Sequence, residues 1–470
     1  MTDIASPFST GSVGANFESH VGAYYLAALL LQSVPRGQED GITTEVRFQR
    51  LFEGDPLDDL IIVSSLPSGE AKLALQIKRD LTFGEKDETF DTIISACWET
   101  FQSSQFNVRT DRFGIVLGLY GKKIDEHYQS VLTWARTSAN SNDFLKRINQ
   151  QKSSNQTQRS FVKLIRDKLD SFSKANVSDD NLWNFLRSMV VLYFDFQKAG
   201  SRDYTYIVEI VSYVLEPSKK NDSAKLISEL AAIASRGNYT AGSFNAEVLR
   251  LDLQQKYSLL ASPDCREDLR RLRQETTLAL KDICTDIGGL TLSRTEIVSG
   301  VIEMMKESSI IGLTGVSGTG KSALLKVLAE SRQSDGFVIF LSWDRITGVG
   351  WTGFANHLQL NKLLKDILIA ISGSSQPTIF IDGIDRIEEE KQKIINDLLR
   401  TISGISLSHD GSRHWTVMFS AREENLQNLS WVEWGHLGNP KTFTIPKLSQ
   451  SEIQTVFDSH LRINLLLRAC

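Results

Sequence analysis

The sequence predicts a multidomain α/β protein, and three observations carry that prediction. Ile310 to Leu325 reads as an apolar strand, a glycine-rich turn and the opening of a helix. Near the start, three strand-like runs follow an amphipathic helix. Between these regions apolar residues recur at helical spacing, as in Leu182, Phe185, Leu186, Met189 and Leu192. A chain of 470 residues exceeds one domain of roughly 100 to 200 residues. The expected division is an α/β domain over 1–122, a helical spacer over 123–260, a nucleotide-binding α/β domain over 261–435 and the start of a lid or winged-helix region over 436–470.

Composition sets bounds on function. With 41% hydrophobic and 23% charged residues the chain is globular in character, and its net charge of -5 excludes a surface that binds nucleic acid everywhere. Any DNA contact must be local. Cys97, Cys265, Cys284 and Cys470 show no C-x-x-C spacing, so neither a zinc ribbon nor a disulfide framework is expected. A reducing cytoplasm is the expected location. The longest apolar runs, such as Tyr24 to Leu31, fall well short of the ~20 residues of a membrane helix. No membrane partner is expected.

Taken in order, Ala15 to Leu31 places Phe17, Val21, Tyr24, Ala28 and Leu31 at helical spacing, with Glu18 in the expected first turn. Strands are expected over Thr43–Gln49, Asp59–Ser64 and Lys72–Lys78, with the turn Leu66-Pro-Ser-Gly69 between the last two. Because strand side chains alternate, Leu73, Leu75 and Ile77 share one face while Ala74, Gln76 and Lys78 share the other. A hairpin of the second and third runs brings the Asp59 carboxylate beside Gln76 and Lys78. A helix with Phe90, Ile94, Trp98 and Phe101 and a strand over Phe113–Leu117 follow.

Glu18 on the first helix, Asp59 at the second strand and Gln76-x-Lys78 on the third resemble the PD-(D/E)xK nuclease core, with glutamine in place of the usual acid. The resemblance implies that Glu18, Asp59 and Gln76 hold a divalent ion, Mg²⁺, that polarises a phosphodiester, while Lys78 assists the attacking hydroxide or stabilises the developing charge. Gln76 can offer a carbonyl oxygen but removes one negative charge, so weaker metal affinity is implied. Gly14-x-x-Phe17-Glu18, Asp58-Asp59-Leu60 and Leu75-Gln-Ile-Lys-Arg79 further resemble the effector nuclease of bacterial CBASS antiphage systems over about Gly11 to Tyr120.

From Ile124 to about Leu259 the expectation is a helical scaffold, with helices over His127–Thr137, Phe161–Phe172, Asn181–Phe196, Tyr206–Leu215, Ala224–Ala234 and Asn245–Leu259. The polar stretch Gln150 to Gln158 is expected to be a loop.

The turn after Ile310–Leu313 reads Gly315-x-x-x-x-Gly320-Lys321-Ser322, the full Walker A spacing of a P-loop. Backbone N–H groups through Gly315, Gly318, Thr319 and Gly320 can converge on phosphate at a helix N-terminus; Lys321 reaches the β and γ phosphates of ATP, and Ser322 holds Mg²⁺. Strands over Phe337–Ser342 and Thr378–Asp382 follow, with a helix over Leu358–Ile371 between them, and Asp382 closes a Walker B strand as the second Mg²⁺ residue.

Leu292-Ser-Arg294-Thr-Glu296 resembles the segment by which STAND NTPases contact nucleotide from the N-terminal side, with Ser293 replacing a glycine. Asp382-Gly-Ile-Asp385 resembles the NACHT branch of that class, with Arg386 where a glutamate is usual. The missing acid implies slow hydrolysis and leaves the orienting of water to Asp385 or to an acid from elsewhere. Thr416 to Arg422 ends in an arginine where related ATPases carry a γ-phosphate sensor. Thr442–Ile445 and the capping box Ser449-x-x-Glu452 are expected to begin the lid region.

The expected protein is thus an antiphage STAND NTPase without its C-terminal sensor. In it a phage-derived trigger, ATP and Mg²⁺ set a switch, several copies assemble, and the N-terminal domains cut double-stranded DNA. An ATP-dependent assembly protein that binds DNA or a partner without cutting is the alternative. A DNA-translocating ATPase is disfavoured by Arg386.

Overall fold

The structure is a computed structural model and describes residues 7–39, 41–49, 54–66, 69–119, 121–150, 153–196, 200–287, 292, 294–333, 336–373, 377–405 and 415–459. Pro67, Ser68, Ser293 and Cys470, which figure in the expectations above, lie outside the described residues.

The first half is built on a six-stranded sheet in the order β5-β4-β3-β2-β1-β6. Helix α1 (Pro7–Leu31) leads into the antiparallel meander β1 (Ile42–Phe48), β2 (Leu60–Leu66) and β3 (Gly69–Lys78). Then α2 (Glu88–Gln102) crosses over to β4 (Arg112–Leu117), which lies parallel to β3. Helices α3 (Gln129–Thr137), α4 (Ser141–Asn149), α5 (Gln156–Ser173) and α6 (Asp179–Ser188) return the chain to β5 (Met189–Tyr193), parallel to β4. After α7 (Arg202–Ser212) and α8 (Ser223–Thr240), β6 (Ser243–Asn245) pairs antiparallel with β1 and leads into α9 (Ala246–Gln254).

Alternation along β3 puts Leu73, Leu75 and Ile77 into one buried layer with α1, α7 and α8, while Ala74 joins the opposite layer with α2, α3 and α6. Burial on both faces makes β4 buried along its whole length.

The structure corrects several expectations here. Helix α1 begins at Pro7, so Glu18 lies about three turns in and not in the first turn; the Ser/Thr/Gly run before it carries no apolar periodicity to announce a helix. The segment 181–196 is helical only to Ser188, and its apolar run Met189–Tyr193 is the edge strand β5, because β-branched Val190 and Val191 pack between two buried layers. With β5 and β6 supplied from residues beyond 122, the stretch 123–260 is no separate helical spacer but completes the first sheet. The expected loop over 150–158 gives way at Asn155, which caps α5 in a capping box with Gln158.

The second half is a five-stranded sheet, all parallel, in the order β11-β7-β10-β9-β8. Its elements are α10 (Arg266–Asp282), α11 (Thr295–Glu307), β7 (Ile310–Thr314), α12 (Lys321–Arg332), β8 (Val338–Ser342), α13 (Gly350–His357), α14 (Leu364–Ser372), β9 (Thr378–Asp382), α15 (Glu389–Ile405), β10 (Thr416–Ser420), β11 (Lys441–Thr444) and α16 (Gln450–Ser459). The helix expected over 358–371 starts only at Leu364, as α14; residues 358–363 form the turn after α13, where Gln359 takes a left-handed φ of 57°. Thr442 to Thr444 do not begin a lid: they lie in β11, the sheet's edge strand beside β7.

The two halves meet through buried hydrogen bonds. Tyr24 Oη on α1 donates to the carbonyl of Gly373 at 3.0 Å, and Tyr206 Oη on α7 donates to that of Ser372. Tyr213 Oη after α7 donates to the Ile405 carbonyl at 2.8 Å, and within the second half Trp415 Nε1 braces Ser372 by donating to its Oγ at 3.1 Å. Glu39, with 33% of its side chain exposed, receives Arg112 of β4 at 3.5 Å and Arg273 of α10 at 3.6 Å. Partial burial works to raise its carboxyl, but Arg112, Arg273 and Arg136 outweigh this and hold it at about 2. The clamp is therefore intact at neutral pH and loosens only as pH falls below the ordinary carboxylate range.

Gly373 packs so tightly against Ser33 that an added Cβ would stand 1.8 Å from Ser33 Oγ and 2.0 Å from its Cβ. Gly373→Ala is expected to destabilise the chain by roughly 1–3 kcal/mol through overpacking, read as a lowered thermal unfolding midpoint. An unchanged midpoint would mean that this joint is loose.

Candidate functional sites

In the second sheet, β7 delivers the chain into the P-loop at the C-terminal edge, where α12 begins at Lys321. The turn requires glycine at three points: Gly315, Gly318 and Gly320 have φ of 141°, 81° and 85°. At Gly315 a Cβ would also stand 2.9 Å from the Ile445 carbonyl oxygen. Thr319 Oγ1 donates to the Val316 carbonyl at 3.1 Å and braces the loop from within.

Strand β10 lies between β7 and β9, so the Walker B residue sits one strand removed from the P-loop strand. Even so, Ser322 Oγ donates to Asp382 Oδ1 at 2.9 Å, and Ser420 Oγ from β10 donates to the same oxygen at 2.5 Å. A hydroxyl and a carboxylate so placed are hard oxygen donors that fit Mg²⁺. Lys321 Nζ donates to the carbonyls of Gly315 and Val316, both at 2.8 Å. Its ammonium is lowered in pKa chiefly by burial.

Arg422, expected to face the γ-phosphate, has its Nε 2.8 Å from Asp385 Oδ2, which Asn425 Nδ2 also approaches to 2.7 Å. Burial works to raise the Asp385 carboxyl, and these two bonds overcome it and hold it below its usual range. Asp385 thus arrives at the site already engaged. Arg294 joins two parts of the site: its Nη1 donates to the Thr319 carbonyl at 3.0 Å and its Nε pairs with Glu452 of α16 at 2.9 Å. Arg386 stacks over the Trp343 ring at 5.4 Å.

In the first sheet, the register of the β2–β3 hairpin pairs Leu60 with Leu75, which sets Asp59 beside the end of β3. Asp59 Oδ2 accepts from Gln76 Nε2 at 2.5 Å and from the Ile77 backbone N–H at 2.7 Å, and Lys78 Nζ stands 3.7 Å away. Asp59 is 8% exposed. Glu18 on α1 lies within the field of these charges: its carboxyl is raised by burial first and by the Asp59 charge second, with Lys78 acting in the other direction. Asp58 is raised by the same two causes, burial and then Asp59.

The structure therefore brings Glu18, Asp59, Gln76 and Lys78 into one neighbourhood. Two carboxylates and a carboxamide oxygen suit a hard divalent cation. Among the described residues no group of three His, Cys, Asp or Glu side chains is placed to hold a metal ion, so such a site depends on an amide. Sequence reasoning missed Gln49, whose Nε2 donates to Asp59 Oδ1 at 3.3 Å. The only signal was its place at the end of an expected strand. Among the described residues no helix is long and apolar enough to cross a membrane.

The model of the AAA family, ATPases associated with various cellular activities, matches residues 311–430. That stretch is an AAA-type P-loop domain. No curated protein matches the chain. Among solved structures, the Cap4 SAVED/CARF-domain containing receptor of Acinetobacter baumannii with the cyclic trinucleotide 3'3'3'-cAAA is 12% identical, with 87% of this chain and 71% of that chain covered and a TM-score of 0.31. The corresponding Moraxella osloensis receptor is 12% identical over 92% of this chain and 96% of that chain, also with a TM-score of 0.31.

Proposed function

We propose that this chain is an antiphage effector of STAND type in which ATP and Mg²⁺ at the P-loop control a metal-dependent endonuclease site for double-stranded DNA in the first sheet. One observation carries the nuclease reading: the Asp59 carboxylate stands at the end of β3 with Gln76, Lys78 and the field of Glu18 around it. Glu18, Asp59 and the carbonyl oxygen of Gln76 would hold the cation, which supplies polarisation of the phosphodiester. Lys78 places a positive charge where the attacked phosphate gains negative charge. The backbone N–H of Ile77 fixes the position of the Asp59 carboxylate.

At the P-loop, Lys321 exchanges its two loop carbonyls for phosphate oxygens, and Arg422 and Arg294 carry the nucleotide state outward to Asp385 and α16. Assembly of several copies in response to a phage-derived trigger belongs to the same proposal, as does a bacterial cytoplasmic location. The antiphage role itself rests on the sequence resemblance at Phe17-Glu18, Asp58-Asp59 and Gln76-x-Lys78.

Supercoiled plasmid incubated with the full chain, Mg²⁺ or Mn²⁺ and ATP tests this reading. Nicked and linear DNA that appears only with the metal is expected. Intact plasmid under every metal and nucleotide condition would leave the second reading, an ATP-dependent assembly protein that binds DNA without cutting. The observation that favours that second reading is Gln76, whose amide donates to Asp59 where most such sites have a second acid.

A further inference from the structure

Gln49 lies just beyond β1 with a left-handed φ of 47°, a conformation that strains a residue with a Cβ. It is fastened to Asp59 twice. Its backbone N–H donates to the Asp59 carbonyl at 3.4 Å, and its side-chain Nε2 donates to Asp59 Oδ1 at 3.3 Å. Gln76 Nε2 meets the other carboxylate oxygen, Oδ2, at 2.5 Å. One carboxylate is thus flanked by two carboxamides, one on each oxygen.

We propose that Gln49 is a further ligand of the divalent cation, a role that rests on the nuclease reading above. A carboxamide is two-faced: a half-turn about its last torsion exchanges an N–H donor for a carbonyl oxygen. Without a cation, both amides turn their N–H groups to Asp59. With one, both turn their oxygens to it, so that Glu18 and Asp59 contribute two negative charges and Gln49 and Gln76 two neutral oxygens. Four oxygen donors with the charge of two carboxylates match a hard dication that keeps its remaining sites for water. The backbone strain at residue 49 holds its side chain over Asp59, where an ordinary strand continuation would carry it away.

The test is Mn²⁺ titration of the nucleotide-free full chain, with free Mn²⁺ read by electron paramagnetic resonance. Gln49→Gly removes the side chain at a φ that glycine accepts, and an unfolding midpoint measured without metal checks that the fold is kept. Gln49→Glu keeps an oxygen donor and loses the amide N–H, while Asp59→Asn identifies which bound ion belongs to this site. The expected result is an Asp59-dependent ion whose affinity falls about tenfold or more in Gln49→Gly and is kept or raised in Gln49→Glu. Wild-type affinity in Gln49→Gly would overturn the ligand role. Equal losses in Gln49→Gly and Gln49→Glu would also overturn it, by showing that only the N–H to Asp59 matters. If wild type and Asp59→Asn bind Mn²⁺ alike, the cation reading of the whole site fails and the role of Gln49 fails with it.

Discussion

Lys321→Ala is expected to lower ATP affinity about 100-fold, from the loss of one or two charge-assisted hydrogen bonds of roughly 1.5–3 kcal/mol each. Nζ bonds to the carbonyls of Gly315 and Val316, inside the loop whose N–H groups face the phosphates. Burial lowers its pKa, so a bound triphosphate restores a favourable environment for the charge. Alanine leaves the glycine turn, with its φ of 141°, 81° and 85°, unaltered. The variant should therefore fold as wild type while isothermal titration with ATP·Mg²⁺ shows the loss. Undiminished affinity would place the nucleotide elsewhere.

Lys78→Ala is expected to slow DNA cleavage by about 10²–10³-fold, the usual cost of removing one group aimed at charge developing in a transition state. Lys78 stands 3.7 Å from Asp59 with 34% of its side chain exposed, so it is anchored yet open to a substrate. Its loss also removes the cation that offsets repulsion between Glu18 and Asp59. ATP binding should not change, because Lys78 belongs to β3 of the first sheet and the P-loop to β7 of the second. Plasmid nicking rates and ATP titrations on the same preparation separate the two effects. Cleavage at the wild-type rate would remove Lys78 from the reaction.

What was legible in the sequence was local. The P-loop, the Walker B strand and the β3 alternation are short patterns whose meaning depends on neighbouring residues, and all three stand where the spacing puts them. Strand β5 was hidden because Leu182 to Leu192 satisfies a helical period while Met189–Tyr193 is also a continuous apolar run, and only pairing with β4 decides between them. Assignment of β11 failed for the same reason: its partner β7 lies some 130 residues earlier, as Thr314 against Thr444 shows. Arg422 was expected to await a phosphate; the neighbouring Asp385 carboxylate holds it instead. Gln49 gave no signal beyond its place at the end of an expected strand, since its contacts arise from a backbone angle and from Asp59 ten residues away.

In the proposed function the P-loop site governs the cleavage site, and Tyr24, on the same helix as Glu18, joins the two halves at Gly373 ahead of the Walker B strand. The most direct measurement is the rate of plasmid cleavage in Mg²⁺ with and without ATP, for wild type and for Lys321→Ala. ATP is expected to change the wild-type rate severalfold and to leave the rate of the variant as it was. A rate indifferent to ATP in wild type, or an equal response in the two proteins, would contradict it.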